Sequence, residues 1–315
     1  MITGGTSGIG FAIAERFLQE GASSIVLVGR TQTRLQEAAT RLASLTGASA
    51  GLDESNGIVA TRAPEEDIQQ STPERIRLLV GDVSEAGSWM RELEKEMVCI
   101  FRIALNCRYL THNPIQANVD ILVNAAGISI SNILPRSELE DISKTLRTNL
   151  EGAMITSRAL VRASIRNRMR NRNDPAAGNR PSKCIINVSS LLAIKGGTGA
   201  VPYAASKAGL LGLTRSLAVE ASASLKDIVI RSNAIVPGYI ETPMIAGMLV
   251  LFLFLWELAY VDVDFTPGEM SRLKDLIPLH RFGDPREIAD AAVFLAQNEY
   301  ANNCVLNIDG GLSAV

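Results

Sequence analysis

Six short and nearly continuous apolar runs alternate with amphipathic patterns along the chain, and this alternation restricts the possible fold most strongly. The runs cover residues 24–28, 76–80, 119–123, 184–188, 229–235 and 304–308. Strands of this kind are buried on both faces, as in a parallel sheet covered by helices. Helical patterns lie between them at 11–20, 35–45, 86–97, 139–168, 203–222 and 285–297. The sequence therefore predicts an α/β fold with a doubly wound parallel sheet of the Rossmann type.

Three irregular segments, 47–75, 99–118 and 244–268, interrupt the alternation. We interpret them as insertions into a single domain that spans residues 1–315. The last segment contains the uncharged apolar run 244–256, which has 13 residues. A membrane-spanning helix needs about 20 apolar residues. We therefore expect this run to be buried or to cover a substrate site, with no membrane span.

Composition argues against several classes of protein. A net charge of −2 over 315 residues gives no overall attraction to nucleic acid or to an anionic membrane. The four cysteines form no CxxC pair, which argues against a disulfide framework or a zinc site. His112 and His280 are too few to indicate a metal site. Because no secretory signal pattern opens the sequence, we expect a soluble intracellular protein of the cytoplasm or the mitochondrial matrix.

A glycine-rich turn, TGGTSGIG at residues 3–10, precedes the first helical pattern. Glycines allow the backbone to approach a pyrophosphate closely, and the helix that follows offers free N–H groups and a positive dipole end. The candidate dinucleotide-binding residues of the turn are Gly4, Thr6, Ser7, Gly8, Ile9 and Gly10. The alternative interpretation is an ordinary glycine turn.

Only Met1 and Ile2 precede this turn, whereas a strand in such a sheet has about five residues. The sequence therefore predicts a truncated first strand. Two explanations stay open: an initial segment is missing from the gene model, or the fold functions with a very short strand.

The strand 24–28 is followed by Gly29 and Arg30. Enzymes that use NAD usually place a carboxylate at this point for the ribose 2′-hydroxyl, whereas an arginine accommodates the 2′-phosphate of NADP. Arg30 therefore favours NADP(H) as the cofactor. A solvated surface arginine is the alternative interpretation.

Tyr203 and Lys207 lie four residues apart in a helical pattern, so they share one face of the helix. A free tyrosine has a pKa of about 10, and a neighbouring cation favours the phenolate and lowers that pKa. Ser190 lies thirteen residues before Tyr203, just after the strand 184–188. Ligands of such sheets bind at the carboxyl ends of the strands, where a serine can donate a hydrogen bond to a substrate carbonyl.

Five motifs occur in the order and approximate spacing of the short-chain dehydrogenase/reductase family, which this sequence resembles. They are TGGTSGIG at 3–10, NAAG at 124–127, NVSS at 187–190, YAASK at 203–207 and PGYIET at 237–242. Within the family, YAASKAGLLGLTRSLAVE, IPLHRFGDPREIADAAVFLA and NIDGG most resemble the 3-oxoacyl-[acyl-carrier-protein] reductases. The resemblance implies NADPH-dependent reduction of a 3-oxoacyl thioester in fatty acid synthesis. It also implies a homo-oligomer, either a tetramer or a dimer.

The resemblance assigns catalytic roles to four residues. It makes Tyr203 the general acid and Lys207 the residue that lowers the tyrosine pKa and binds the nicotinamide ribose. Ser190 orients the carbonyl, with Ser189 as the competing candidate that fits the spacing less well. Asn149 holds the water of a proton relay.

The resemblance also implies further cofactor contacts. Asp82 and Val83 would contact the adenine. The remaining contacts are assigned to Asn124, Ala125 and Gly127 of NAAG, and to Pro237, Gly238, Ile240 and Thr242 of PGYIET.

Two alternatives to this function stay open: reduction of another ketone, such as a steroid or a secondary metabolite, and a nucleotide-binding scaffold without turnover. We also hypothesise that basic residues between 158 and 183 dock an acidic acyl carrier protein and lead it toward Ser190. They are Arg158, Arg162, Arg166, Arg168, Arg170, Arg172, Arg180 and Lys183, accompanied by the single acid Asp174. The alternative is a solvated helix end and loop.

Overall fold

The computed structural model describes residues 1–47, 58–59, 75–85, 119–170, 182–225, 228–245 and 273–315, together with residues 89, 93, 94, 97 and 271. The strands are β1 (Ile2–Thr3), β2 (Ile25–Gly29), β3 (Ile58–Val59), β4 (Ile76–Val80), β5 (Ile121–Asn124), β6 (Lys183–Val188), β7 (Ile230–Pro237) and β8 (Val305–Ile308). The α-helices are α1 (Gly8–Gln19), α2 (Gln32–Thr46), α3 (Leu139–Leu146), α4 (Gly152–Arg170), α5 (Val201–Ser224) and α6 (Pro285–Gln297).

The described strands form one sheet in the order β3-β4-β2-β1-β5-β6-β7-β8. All neighbours are parallel except the edge pair β3 and β4, which is antiparallel. The strand order runs outward from β1 in both directions, so a topological switch point lies at its carboxyl end, where such sheets bind ligands. The predicted doubly wound Rossmann-type sheet is confirmed.

The first strand is short but central. Ile2 pairs with Leu27 of β2 and with Val123 of β5. The carbonyl of Met1 extends the pairing by accepting a hydrogen bond of 2.9 Å from Val123 N. The predicted truncation of this strand is confirmed, and these few residues join the two halves of the sheet.

Both faces of the sheet are buried, because successive side chains of each strand point to opposite faces. In β2, Ile25 and Leu27 pack into the core beneath α1, α2 and α6. Val26 and Val28 pack into the core on the other face, which includes residues of α4 and α5. This two-sided burial explains why the strands appear in the sequence as continuous apolar runs.

The long helix predicted at 139–168 is not regular in the structure. A five-residue π-helical turn, Arg147–Glu151, separates α3 from α4. Such turns often occur at functional sites, and this one contains Asn149. Sequence periodicity did not reveal it, because one π turn barely changes the apolar pattern of a long helix.

Other predicted segments lie largely outside the described residues. Segment 99–118 lies entirely outside them, as do most of 47–75 and most of 244–268. Of the helix predicted at 86–97, residues 89, 93, 94 and 97 are described, and each is helical. The division into one domain with three insertions stays a prediction.

Within the described part of the chain, no helix is long and apolar enough to cross a membrane. The apolar run 244–256 lies outside the described residues from residue 246 onward. The same described residues contain no cluster of three or more His, Cys, Asp or Glu side chains that could hold a metal ion.

Candidate active site

The glycine turn between β1 and α1 requires its glycines for steric reasons. Gly4 has φ +68° and Gly8 has φ +55°, in the left-handed region that side chains disfavour. A Cβ on Gly4 would lie 2.8 Å from the backbone of Ala126, and a Cβ on Gly10 would lie 2.4 Å from the carbonyl oxygen of Gly4. The N-cap residue Ser7 makes no side-chain hydrogen bond to α1. The amino end of α1 therefore keeps free N–H groups for an anion.

A cavity of about 290 Å³ lies along the carboxyl ends of β1, β2, β4, β5 and β6. Most of the predicted cofactor-binding residues line it: Gly4, Thr6, Ser7, Gly8, Ile9, Gly10, Arg30, Asp82, Val83, Ala125, Gly127, Tyr203, Lys207 and Thr242. Val188 and Ser189 of NVSS line it as well, so the structure brings all five sequence motifs to one cavity at the switch point.

Asn124 is a predicted cofactor contact whose side chain lies elsewhere. It is 4% exposed and is absent from the lining of this cavity. Its Nδ2 donates to Asn187 Oδ1 at 2.9 Å, and its Oδ1 accepts from Thr156 Oγ1 at 2.7 Å. Asn187 in turn donates to Thr214 Oγ1 at 2.9 Å. The network joins β5 and β6 to α4 and α5, so Asn124 supports the strand ends from beneath.

Tyr203 lies in the first turn of α5, and Lys207 lies one turn later. The Lys207 Nζ is 5.7 Å from the centre of the Tyr203 ring and donates to the carbonyl oxygen of Val188 at 2.8 Å. Both side chains are buried, with exposures of 9% for Tyr203 and 4% for Lys207. The four-residue spacing therefore places phenol and amine together against the end of β6.

Burial controls the pKa values of this pair. It lowers the pKa of Lys207 to about 8. It raises the pKa of Tyr203 above 10, an effect that a hydrogen bond with Ser190 partly opposes. The expectation that Lys207 lowers the tyrosine pKa stays a prediction, because the raised pKa reflects desolvation of the phenol and not the contribution of the neighbouring cation. Tyr203 is therefore neutral near pH 7 and still holds the proton that a general acid must donate.

The two candidate serines after β6 have different partners. Ser189 is buried, and its hydroxyl donates to the carbonyl oxygen of Lys207 at 2.8 Å. Ser190 caps the short 3₁₀ helix Leu191–Ala193, its Oγ accepting from Leu192 N at 3.3 Å. The Ser190 hydroxyl also acts to lower the pKa of Tyr203. The geometry thus favours Ser190 over Ser189 as the group beside the phenol.

Asn149 uses its whole amide group within the protein. Its Oδ1 accepts from Ile128 N at 2.8 Å, and its Nδ2 donates to Ile128 O at 2.9 Å and to Ser206 Oγ at 3.0 Å. A Cβ on Gly127 would lie 3.4 Å from Asn149 Oδ1 and 3.3 Å from Lys207 Nζ. Asn149 therefore holds the loop after β5 close to Lys207.

A second cavity, of about 100 Å³, adjoins the first at Tyr203. Its polar lining residues include Ser190 and Tyr203, and its described lining has no charged side chain. Apart from Gly238, the apolar lining consists of Ile9, Leu191, Leu192, Pro237, Tyr239, Ile240, Met244 and Ile245. Three predicted cofactor residues, Pro237, Gly238 and Ile240, thus line this cavity and not the larger one.

Several lining residues of the larger cavity were missed by the sequence analysis. Arg34 lies in the first turn of α2, and Thr148 belongs to the π turn. The four-residue spacing from Arg30 could have indicated Arg34 as a second guanidinium. Thr148 carries no recognisable sequence signal, because its position depends on how the helix packs over the loop after β5.

Three of the described basic residues between 158 and 183 pair with acidic side chains. Arg162 and Arg166 both pair with Glu94, at 3.3 and 2.9 Å, and Lys183 pairs with Asp120 at 2.7 Å. Arg166 is about 21 Å along the helix axis from Gly152. Because α4 returns the chain to the start of β6, Arg166 and Lys183 lie toward the amino ends of the strands, whereas Ser190 follows the carboxyl end of β6. Docking of an acyl carrier protein by this patch stays a prediction, because residues 171–181 lie outside the described part of the chain.

Two family models match the chain. The model described as "Enoyl-(Acyl carrier protein) reductase" matches residues 115–313. The model described as "short chain dehydrogenase" matches residues 1–63. Together they include every motif of the candidate site except the region of Asp82 and Val83.

Curated relatives carry related names. A Bos taurus protein named 3-oxoacyl-[acyl-carrier-protein] reductase is 34% identical over 67% of this chain and 77% of its own length. A Danio rerio protein named carbonyl reductase family member 4 is 37% identical over 64% of this chain and 69% of its own length. A 3-oxoacyl-[acyl-carrier-protein] reductase of Chlamydia muridarum is 28% identical over 99% of this chain and 96% of its own.

Solved structures share the fold. A putative NAD(P)-dependent gluconate 5-dehydrogenase from Beutenbergia cavernae, with bound NADP, is 25% identical with a TM-score of 0.69, covering 100% of this chain and 96% of that one. An actinorhodin polyketide ketoreductase variant with NADPH is 23% identical with a TM-score of 0.71 and the same coverage. Since one family model covers more than half of the sequence and a relative at 34% identity is matched over 77% of its length, this chain belongs to the short-chain dehydrogenase/reductase family.

Proposed function

We propose that this protein is an NADP(H)-dependent reductase of 3-oxoacyl thioesters in which Tyr203 donates the proton. At the coarser level, the chain is an oxidoreductase that acts on CH–OH or C=O groups. One observation carries the proposal: Tyr203 lines both the polar cavity at the switch point and the apolar cavity beside it. A cofactor in the first cavity and a carbonyl in the second would therefore meet at this side chain.

The residues of the larger cavity fit NADP(H). Glycines with no room for a Cβ and the uncapped amino end of α1 suit a pyrophosphate. Arg30 and Arg34 both line the cavity and provide guanidinium groups for the 2′-phosphate. Arg30 lies 3.9 Å from Asp82 and keeps 53% of its side chain exposed, so this loose ion pair leaves it accessible to a ligand. When bound, the cofactor supplies the hydride for the carbonyl carbon.

The side chains around Tyr203 support a proton-transfer role. Tyr203, neutral near pH 7, donates its phenolic proton to the carbonyl oxygen as that oxygen becomes negative. Ser190, which lines the smaller cavity together with Tyr203, orients the same oxygen. The buried amine of Lys207, with a pKa of about 8, is largely charged near neutral pH and stabilises the phenolate that remains. We assign Asn149 a positioning role beside its predicted role in the proton relay, because its Oδ1 accepts from Ile128 N and its Nδ2 donates to Ile128 O and Ser206 Oγ.

The lining of the smaller cavity supports an acyl substrate. A polyol acid such as gluconate would bring several hydroxyls and a carboxylate into the site, and buried groups of that kind need polar partners. The described lining offers apolar side chains and no charge. An acyl chain next to the reacting ketone matches this surface. The names of the curated relatives support the same substrate class, with an acyl carrier protein as the thioester carrier and fatty acid synthesis as its context.

A second candidate is the reduction of small ketones, favoured by the relative named carbonyl reductase family member 4. The two candidates differ in whether the apolar cavity must hold a chain. Turnover that rises with acyl length would favour the thioester, whereas equal turnover of short and long ketones would favour a general carbonyl reductase.

The test is NADPH consumption with four substrates: a 3-oxoacyl thioester on acyl carrier protein, the same acyl group on a small thiol, a short ketone and 5-ketogluconate. We expect the highest kcat/KM for the 3-oxoacyl thioesters, and Tyr203→Phe serves as the inactive control. Preference for 5-ketogluconate would contradict the proposed substrate class. NADPH binding without turnover of any carbonyl would identify a nucleotide-binding scaffold instead.

We also propose that the protein is a homo-oligomer. Large apolar side chains on α3 and α4 are exposed, including Leu139 at 82% and Met169 at 72%. Exposed apolar side chains on adjoining helices favour self-association. Light scattering on the purified protein would support this proposal with a dimer or tetramer mass and contradict it with a monomer mass.

A further inference from the structure

Hydroxyl side chains within the helices usually donate a hydrogen bond to a backbone carbonyl of their own helix. Each of the following donates to the carbonyl four residues earlier, at 2.7 to 3.0 Å: Thr40, Thr46, Thr156, Ser164 and Thr214. This bond is the normal solution for a threonine or serine in a helix. Thr148 is different, because its residue is 6% exposed and its Oγ1 is buried without a hydrogen-bond partner among the described residues.

The π turn Arg147–Glu151 explains the difference. Thr148 lies in a π turn, in which backbone hydrogen bonds follow the i→i+5 pattern in place of i→i+4, and its hydroxyl makes no bond to the carbonyl four residues earlier. Thr148 instead lines the cavity at the switch point. A buried hydroxyl without a partner lowers stability, and a ligand in this cavity could provide the missing hydrogen bond.

The surroundings of Thr148 indicate which part of the ligand it would meet. Gly152, one turn further along the helix, packs so closely on Val83 that a Cβ there would lie 2.9 Å from that side chain. Val83 follows β4 and lines the same cavity beside Asp82. This is the side of the cavity that we assign to adenine.

We propose that Thr148 is a cofactor-binding residue whose hydroxyl forms a hydrogen bond with the adenosine half of NADP(H). The inference rests on the proposed cofactor, because an adenosine group is needed in this cavity. In this arrangement the hydroxyl in the π turn makes no hydrogen bond to the helix backbone and is therefore able to bond the ligand. Its neighbour Asn149 holds the adjoining loop in place.

Ser232 provides a matched control. It is fully buried within β7, and its Oγ also lacks a partner among the described residues. Ser232 lines neither of the two cavities. Removing either hydroxyl eliminates an unsatisfied polar atom, but only the removal at Thr148 should affect a ligand.

The experiment measures the dissociation constants of NADPH and of adenosine 2′,5′-bisphosphate by calorimetry for the wild type, Thr148→Val, Thr148→Ser and Ser232→Ala. Thr148→Val keeps the side-chain shape and should weaken both ligands by about three- to tenfold, the usual effect of one hydrogen bond. Thr148→Ser should restore most of the affinity, and Ser232→Ala should leave it unchanged. The Tm of ligand-free Thr148→Val should equal or exceed that of the wild type.

Three results would overturn the proposal. Unchanged affinity in Thr148→Val would show that the hydroxyl does not bind the cofactor. Weaker NADPH binding with unchanged binding of the bisphosphate would move the contact away from the adenosine half. A lower Tm of the ligand-free valine variant would show a structural role. A wild type that binds neither ligand would instead refute the proposed cofactor, and with it this inference.

Discussion

The two cavities that meet at Tyr203 are lined by different kinds of groups. The larger one is formed by strand ends, by glycines whose conformations exclude a Cβ, and by polar side chains such as Thr148. The smaller one is formed mainly by apolar side chains from the segments around Leu191 and Tyr239. The larger cavity requires particular backbone conformations, whereas the smaller cavity requires only apolar side chains of suitable volume.

This difference explains why one cavity could be recognised from sequence and the other could not. Close backbone approach at Gly4 and Gly10 allows only one residue type, so it leaves a visible motif. Apolar volume can be supplied by many combinations of Leu, Ile and Met, so the smaller cavity leaves none. Substrate preference can therefore change by substitution in the smaller cavity without disturbing the cofactor side.

Tyr203→Phe tests whether the cavities share a catalytic side chain, and we expect the largest effect here. Loss of the proton donor should lower kcat by at least about 100-fold. The dissociation constant of NADPH should change little, because the ring remains. An NADPH affinity that falls as steeply as kcat would mean that Tyr203 serves mainly to bind the cofactor.

Lys207→Met should have opposite effects on catalysis and on stability. We expect a large loss of kcat and a Tm at pH 7 that is higher by roughly a few degrees. The pKa of Lys207 is about 8 in the folded protein, against 10.5 for a lysine exposed to water. Below pH 8 the folded protein therefore carries the full cost of burying the charge, and stability rises with pH between about 8 and 10.5 as the folded lysine loses its proton first.

The stability gain of Lys207→Met over the wild type should therefore disappear by about pH 10.5. Loss of the hydrogen bond to Val188 O will offset part of the gain. Urea unfolding at several pH values measures both effects. A variant less stable than the wild type at pH 7 would contradict the assigned cost of burial.

Arg30→Ala sharpens the assignment of the far end of the larger cavity. We expect the dissociation constant of NADPH to rise about 10- to 100-fold, the range for a charged hydrogen bond, and that of NADH to change less than about twofold. Arg41, which stacks on Phe11 and does not line the cavity, is the matched control. Equal weakening of NADPH and NADH would show that Arg30 does not recognise the 2′-phosphate.

Leu192→Ala probes the smaller cavity and should have the smallest effect. Loss of apolar contact should lower kcat/KM for a medium-chain 3-oxoacyl thioester by about three- to tenfold. The loss of kcat/KM should appear only when the substrate chain is at least two carbons longer than the shortest ketone, which should itself react normally. NADPH affinity should not change. The exposed Leu134, at 49%, provides a control outside both cavities. A loss shared by every substrate would indicate distortion of the Ser190 loop instead.

Local features were readable from the sequence because they depend on near neighbours along the chain. The apolar runs predicted the parallel sheet, and the short segment before Gly4 predicted the truncated first strand. The four-residue spacing of Tyr203 and Lys207 predicted that they share a helix face. Each of these follows from backbone periodicity or from the steric limits of a single turn.

Other properties depend on contacts between residues far apart in the sequence, and only the tertiary structure determined them. Burial raises the pKa of Tyr203, and tertiary packing pairs Arg166 with Glu94. Tertiary packing places Asn124 in a hydrogen-bond network beneath the cavity. It also leaves the hydroxyl of Thr148 without a hydrogen-bond partner among the described residues. Desolvation and hydrogen-bond satisfaction are set by everything that surrounds a group in space, and a linear sequence does not specify those surroundings.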